Sequence, residues 1–130
     1  MEERSAEAVV REIYEGWLQG RSPRDLIDED LEYVNPPEAV EPGTRRGRSA
    51  LSGIRDAFDE VRVEPEDVIP VGDDQVLVLA HMTGRARGSG APLDTRQGYL
   101  WTVRGGRAVR FEWFRTHEHA LERVGVDRPG

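Results

Sequence analysis

Between residues 75 and 115 the chain reads as three strands in a row, and no other feature of the sequence restricts the fold as much. Residues 75–87 contain Val76-Leu77-Val78-Leu79-Ala80, an apolar run whose both faces must be covered. Gly88-Ser89-Gly90 turns the chain. Residues 93–104 and 107–115 alternate in polarity and meet at Gly105-Gly106, the signature of a two-residue hairpin. Strands joined by such short turns pair antiparallel. A further strand, 61–71, precedes them, closed by the turn Gly72-Asp73-Asp74. Its Pro65 and Pro70 cannot donate to a ladder, which predicts an edge position or a bulge.

The first half of the chain has the helical period instead. Val9, Val10, Ile13, Tyr14, Trp17 and Leu18 share one face of a helix over 5–19, ended by Gly20. Ser22-Pro23-Arg24-Asp25 predicts the start of a second, short helix ending near residue 28. A strand over 31–35 stops at Pro36-Pro37, and 36–47, with three prolines and two glycines, reads as a loop. Ala50, Leu51, Ile54, Ala57, Phe58 and Val61 form an apolar stripe that predicts a third helix over 48–60. Thr116 can cap a last short helix containing Ala120, Leu121 and Val124. Helices early and strands late make an α+β layout, with helices packed on one side of a curved antiparallel sheet. The 130 residues suit a single domain, expected over 5–125 with 126–130 as a flexible tail.

Composition removes several classes of function. The chain has no cysteine, hence no disulfide, thiolate metal site or cysteine nucleophile. Its 25 acidic and 18 basic residues give a net charge of −7, which opposes a nucleic-acid partner. The basic cluster Arg45, Arg46 and Arg48 reads as a solvated loop or, alternatively, as a phosphate site at a helix start. No apolar run reaches the length of a signal or membrane segment, so the expectation is a soluble cytoplasmic protein without a membrane partner. There is no glycine-rich phosphate or dinucleotide loop and no Gly-x-Ser-x-Gly, and His117 and His119 diverge around a helix axis. No cofactor and no metal are therefore expected.

Four segments resemble the NTF2-like superfamily, in particular its SnoaL-like branch. They are Gly47-Arg48-Ser49-Ala50-Leu51 at a helix start and Glu66-Asp67-Val68-Ile69-Pro70-Val71-Gly72-Asp73 at a strand and turn. The long strand from Val76 to Gly84 and the run Gly105-Gly106-Arg107-Ala108-Val109 complete the set. The resemblance spans about residues 6–125 and implies a cone-shaped sheet wrapped around the N-terminal helices, enclosing a hollow. It does not imply one activity, since this fold hosts isomerases, cyclases, hydrolases, dehydratases and non-catalytic binders.

Strand alternation then names the lining of that hollow. In the last strand Val109, Phe111, Trp113 and Arg115 are expected inward; before it, Tyr99, Trp101 and Val103; in the first strand, Leu31, Tyr33 and Asn35; in the long strand, Val76, Val78, Ala80 and Met82. With Tyr14, Trp17 and Phe58 from helices, these give an apolar, aromatic set with a polar mouth at Tyr33, Asn35, Tyr99 and Arg115. Such a set fits a small apolar molecule with a polar end, or simply a packed core. Leu77, Leu79, His81, Leu100 and Phe114 fall on the outer face, where so much apolar surface predicts a sheet-to-sheet homodimer.

Comparison with the ketosteroid isomerases that this chain resembles implies what the hollow lacks. Their aspartate base, placed before a proline, corresponds to Asn35 before Pro36, and an amide takes no proton at neutral pH. Their oxyanion-binding tyrosine corresponds to the region of Ile13 and Tyr14, and their protonated aspartate to Tyr99. The two aspartates bridged by arginine of the epoxide hydrolases are not found beside Arg115. The acidic candidates for a cyclase base, Glu38, Asp94 and Glu112, fall outside the hollow. A catalytic set of Tyr99, Arg115 and His81 would need His81 turned inward by a one-residue bulge. Three readings follow: a weakly catalytic or non-catalytic binder, a cyclase or isomerase using that set, and an accessory protein docking through its outer sheet.

Overall fold

The computed structural model describes residues 5–21, 23–39, 42–52 and 58–127. Helix α1 (Ala6–Leu18) begins where Ser5 Oγ accepts from the Ala8 amide at 3.1 Å. Val9, Val10, Ile13 and Tyr14 are buried along one face, each contributing roughly 1.5–3 kcal/mol of transfer free energy. Gly20, at φ 76°, ends the element. The strands are β1 (Ile27–Asn35), β2 (Gly43–Arg46), β3 (Phe58–Pro70), β4 (Gln75–Ala86), β5 (Pro92–Arg104) and β6 (Arg107–Phe114), followed by helix α2 (His117–Val124). They form one curved, unclosed sheet in the order β2-β1-β6-β5-β4-β3. The α+β fold, the glycine hairpin between β5 and β6 and the edge position of β3 all agree with expectation. β3 also carries two register shifts, one spanning Glu60 (φ 56°) and one beside Pro65.

Several expected elements differ. The second helix is reduced to a 3-10 turn, Arg24–Leu26, because Leu26 and Ile27 are drawn against the core and β1 starts at Ile27 rather than at residue 31. Ser22 lies outside the described residues. The expected loop contains β2, which pairs antiparallel with β1; all four of its residues are exposed, so it carries no periodic signal. Where the third helix is expected to begin, the described residues form a 3-10 turn, Arg48–Ser52. Residues 53–57 lie outside the described set, and Phe58 already belongs to β3, opposite Ala86. β1 joins β6 in parallel, so the sheet is mixed rather than wholly antiparallel.

The two faces of the sheet carry two cores. Val76, Val78, Ala80, Tyr99, Trp101, Val103, Ala108 and Phe111 pack with α1 on the concave side. Val109 is not among them: a register shift after Thr102 pairs Val103 with Ala108, and Ala108 takes the inward place. On the convex side Leu77, Leu79, Leu100 and Phe114 pack under α2, with Ala120 at the contact. This overturns the ground for a sheet-to-sheet dimer and for outer-face docking, since the apolar outer surface is covered by the chain's own last helix. Thr116 Oγ1 caps α2 by accepting from the His119 amide at 3.0 Å. The buried His117 ring donates from Nε2 to the Ala80 carbonyl at 3.0 Å, tying the helix to β4. Val126, read as part of a tail, packs against this same outer core. No helix among the described residues is long and apolar enough to cross a membrane.

Candidate functional site

Alternation along β1, β5 and β6 places the aromatic residues where expected, and their rings meet in one chain of contacts. Trp101 lies 5.9 Å from Tyr14, 6.0 Å from Trp17 and 4.7 Å from Phe111, centroid to centroid. Phe111 continues to Tyr99 at 5.1 Å and to Tyr33 at 5.2 Å. These spacings favour tilted and offset ring pairs. Each buried polar tip has a partner. Trp101 Nε1 donates to the Tyr14 hydroxyl at 2.9 Å, and the Tyr99 hydroxyl donates to Gln97 Oε1 at 3.0 Å. Trp113 Nε1 donates to Asn35 Oδ1 at 2.7 Å, and Asn35 Nδ2 donates to the Gly43 carbonyl at 3.5 Å.

The electrostatics keep these phenols neutral. Burial, then the neighbouring Tyr99, pushes Tyr14 well above its usual range, and the hydrogen bond from Trp101 opposes this weakly. Burial, then Tyr33, likewise raises Tyr99. Burial raises Tyr33 against the pull of Arg45. The tyrosines of the aromatic interior therefore act as hydrogen-bond donors and not as bases.

The other expected site residues are not brought together with them. His81 lies on the convex side of β4, on the parity of Leu77 and Leu79, with its Nε2 2.6 Å from Asp94 Oδ1. Arg115 is exposed beyond the end of β6 and has no hydrogen bond or ion pair among the described residues. A set of His81, Tyr99 and Arg115 is thus not assembled. Met82 is buried but joins neither core, and Phe58 sits at the far start of β3. The inner aromatics pack on one another, so the open space lies elsewhere.

That space is a cavity of about 650 Å³ between the end of α1, the segment entering β1, the 3-10 turn at Arg48 and the first half of β3. Trp17 is the one expected lining residue that borders it. Leu18, Ile27, Leu51, Val61 and Val63 supply further apolar wall, and Arg21, Arg24, Arg48, Arg62 and Glu29 the charged groups. Arg48 is a bracket for this wall: its guanidinium donates to the carbonyls of Arg24 at 3.0 Å and Ile27 at 3.4 Å, and lies 3.5 Å from Glu29. Of the basic cluster Arg45, Arg46 and Arg48, Arg48 alone borders the cavity. In the sequence Leu51 belongs to the helix stripe and Val61 to both that stripe and the strand over 61–71, and neither Arg21 nor Arg24 stands out as a site residue. A smaller space of about 400 Å³ lies on the other side of α1, bordered by Tyr14, Arg11, Glu15, Pro65 and Val68. No group of histidine, aspartate or glutamate able to hold a metal occurs among the described residues.

An α+β cone with its helix inside and a side cavity between helix and sheet defines a class of small-molecule-binding folds. Within that class the chain belongs to the SnoaL-like domain family, whose model matches residues 6–111. Among solved structures it is similar to wild-type IdmH of Streptomyces antibioticus, a polyketide cyclase candidate, at 23% identity and TM-score 0.70, over 95% of this chain and 100% of that one. It is similar to an NTF2-like protein of unknown function from Burkholderia pseudomallei K96243 at 23% identity and TM-score 0.69, over 93% and 98%. It is also similar to a SnoaL-like polyketide cyclase candidate from Jannaschia sp. CCS1 at 18% identity and TM-score 0.67, over 99% and 100%. At these identities the likeness concerns the fold. No curated protein shows significant sequence similarity to the chain.

Proposed function

We propose that this SnoaL-like protein binds a small, mainly apolar molecule with a polar end in the cavity between α1 and β3, without catalysing its conversion. The cavity itself carries the reading. Its volume of about 650 Å³ falls within the range of small-molecule sites, and its wall is apolar with a few convergent charged groups. The absence of conversion rests on the lack of a base at the positions expected to supply one. Asn35 stands before Pro36, the interior tyrosines stay protonated, and His81 is on the opposite face, bonded to Asp94. Glu29, the carboxylate bordering the cavity among the described residues, is 80% exposed and faces water and Arg48 rather than an enclosed reaction site.

A hydrophobic-compound screen tests this. A ligand of the cavity raises the melting temperature by mass action and changes the fluorescence of Trp17. Trp17→Phe removes most of that fluorescence change while Trp113→Phe leaves it. A screen in which no compound moves either the melt or the emission overturns the reading.

A further inference from the structure

We infer that the cavity between α1 and β3 selects a carboxylate, an apolar organic acid whose charged end meets Arg21 and Arg24. The inference rests on the binding reading above and adds the ligand's charge. The protein carries a net charge of −7, yet the cavity between α1 and β3 is bordered by four arginines and one glutamate. That local inversion of sign makes the site an attractive region for an anion in an otherwise repelling molecule.

The four cations are not equivalent. Arg48 is occupied by two backbone carbonyls and Glu29, and Arg62 is bonded to Glu64 on its own strand. Arg21 and Arg24 have no side-chain hydrogen bond or ion pair among the described residues. Both stand on anchored backbone. The Arg21 amide donates to the Gly16 carbonyl at 2.8 Å, and the Arg24 carbonyl accepts from Arg48 at 3.0 Å. Two uncommitted guanidinium groups at the edge of an apolar wall offer a carboxylate charge-assisted hydrogen bonds. The apolar part of such an acid lies against Trp17, Leu51 and Val63, all three of which also pack on the concave core. The phosphate alternative raised by the Arg45–Arg46–Arg48 cluster is weaker: Arg45 and Arg46 belong to β2 and do not border the cavity, and Arg48 is already bonded.

Isothermal titration with three acid–amide pairs (2-naphthaleneacetate, 4-phenylbutyrate and decanoate, each against its primary amide) measures the preference directly. At least one acid is expected to bind about tenfold tighter than its amide in low salt, the difference shrinking as ionic strength rises. Arg21→Gln/Arg24→Gln abolishes that preference without moving the melting temperature, and Arg107→Gln, an exposed charge on the β5–β6 hairpin, leaves it intact. Equal binding of acid and amide overturns the carboxylate inference while the apolar binding site stands. A preference that persists in the double variant overturns the assignment to Arg21 and Arg24. Binding of none of the six compounds overturns the inference together with the reading on which it rests.

Discussion

All three tyrosines of the chain are held in the concave aromatic cluster, and for each of them burial is the largest cause of a raised pKa. The linkage has a definite sign. A phenol whose pKa is higher folded than unfolded stabilises the fold fully below the unfolded value, near 10. That contribution is lost as pH rises through the folded value. Stability should therefore fall with increasing pH above about 10, because the unfolded chain releases protons that the folded one retains. Tyrosinate absorbance at 295 nm is expected to lag behind that of a free phenol and to appear together with the loss of near-ultraviolet circular dichroism. A tyrosinate band with its midpoint at the ordinary value while the fold persists would contradict the burial of Tyr14 and Tyr99. These residues were legible in the sequence for a plain reason: alternation has a period of two, and once one aromatic of β5 or β6 is assigned inward the others follow. The cavity was not legible, because Arg21, Arg24, Ile27 and Glu29 lie where the chain has no period.

At the scale of elements, the agreement follows the regularity of the ladders. β4 and β5 pair through eleven consecutive partners, Gln75 with Thr102 to Arg85 with Pro92, without a shift, and both were read almost to the residue. β2 was missed because an exposed edge hairpin has neither an apolar face nor a period. At the end of the stripe from Ala50 to Val61 two periods overlap: Val61 closes the helical spacing and opens the strand read over 61–71, and β3 takes in Phe58 as well. The docking of α2 was also hidden, and its cause is one glycine. A Cβ on Gly98 would come 2.2 Å from the Cβ of Ala120, closer than atoms can approach, so only glycine at this point of β5 lets the helix lie on the sheet. Gly98→Ala is expected to destabilise the protein by about 1–3 kcal/mol through overpacking. Adding Ala120→Gly removes the obstructing methyl, and the next atom of that residue, its Cα, is at 3.7 Å. The double variant should recover most of the loss, less about 1 kcal/mol for glycine within a helix. Urea unfolding of the two single variants and the double gives the coupling. Additive effects would mean that the two residues do not limit the docking.

The whole molecule is a sheet covered on both faces, and the two covers have different consequences. On the concave side α1 packs over part of the aromatic core, and a cavity remains beside it in which specificity can be varied without disturbing the ladders. On the convex side α2 closes a second core completely: Leu77 and Leu79 are 0% exposed, Leu100 3% and Phe114 7%. The apolar outer face read from the sequence is real, and what covers it is the chain's own helix α2. The His117 bond to Ala80 and the Gly98–Ala120 contact tie that cover to the sheet, and the Thr116 cap fixes the start of its helix. Removing it should therefore convert an intramolecular contact into an intermolecular one, since the exposed patch would exceed what a soluble monomer tolerates. A chain truncated after residue 115 is expected to melt well below the full-length protein, to bind a hydrophobic dye, and to associate in light scattering in proportion to its concentration. The full-length chain provides the control at each concentration. If the truncated chain showed the same mass, dye binding and melting temperature as the full-length one, α2 would be a passenger, and the convex leucines would need another explanation for their burial.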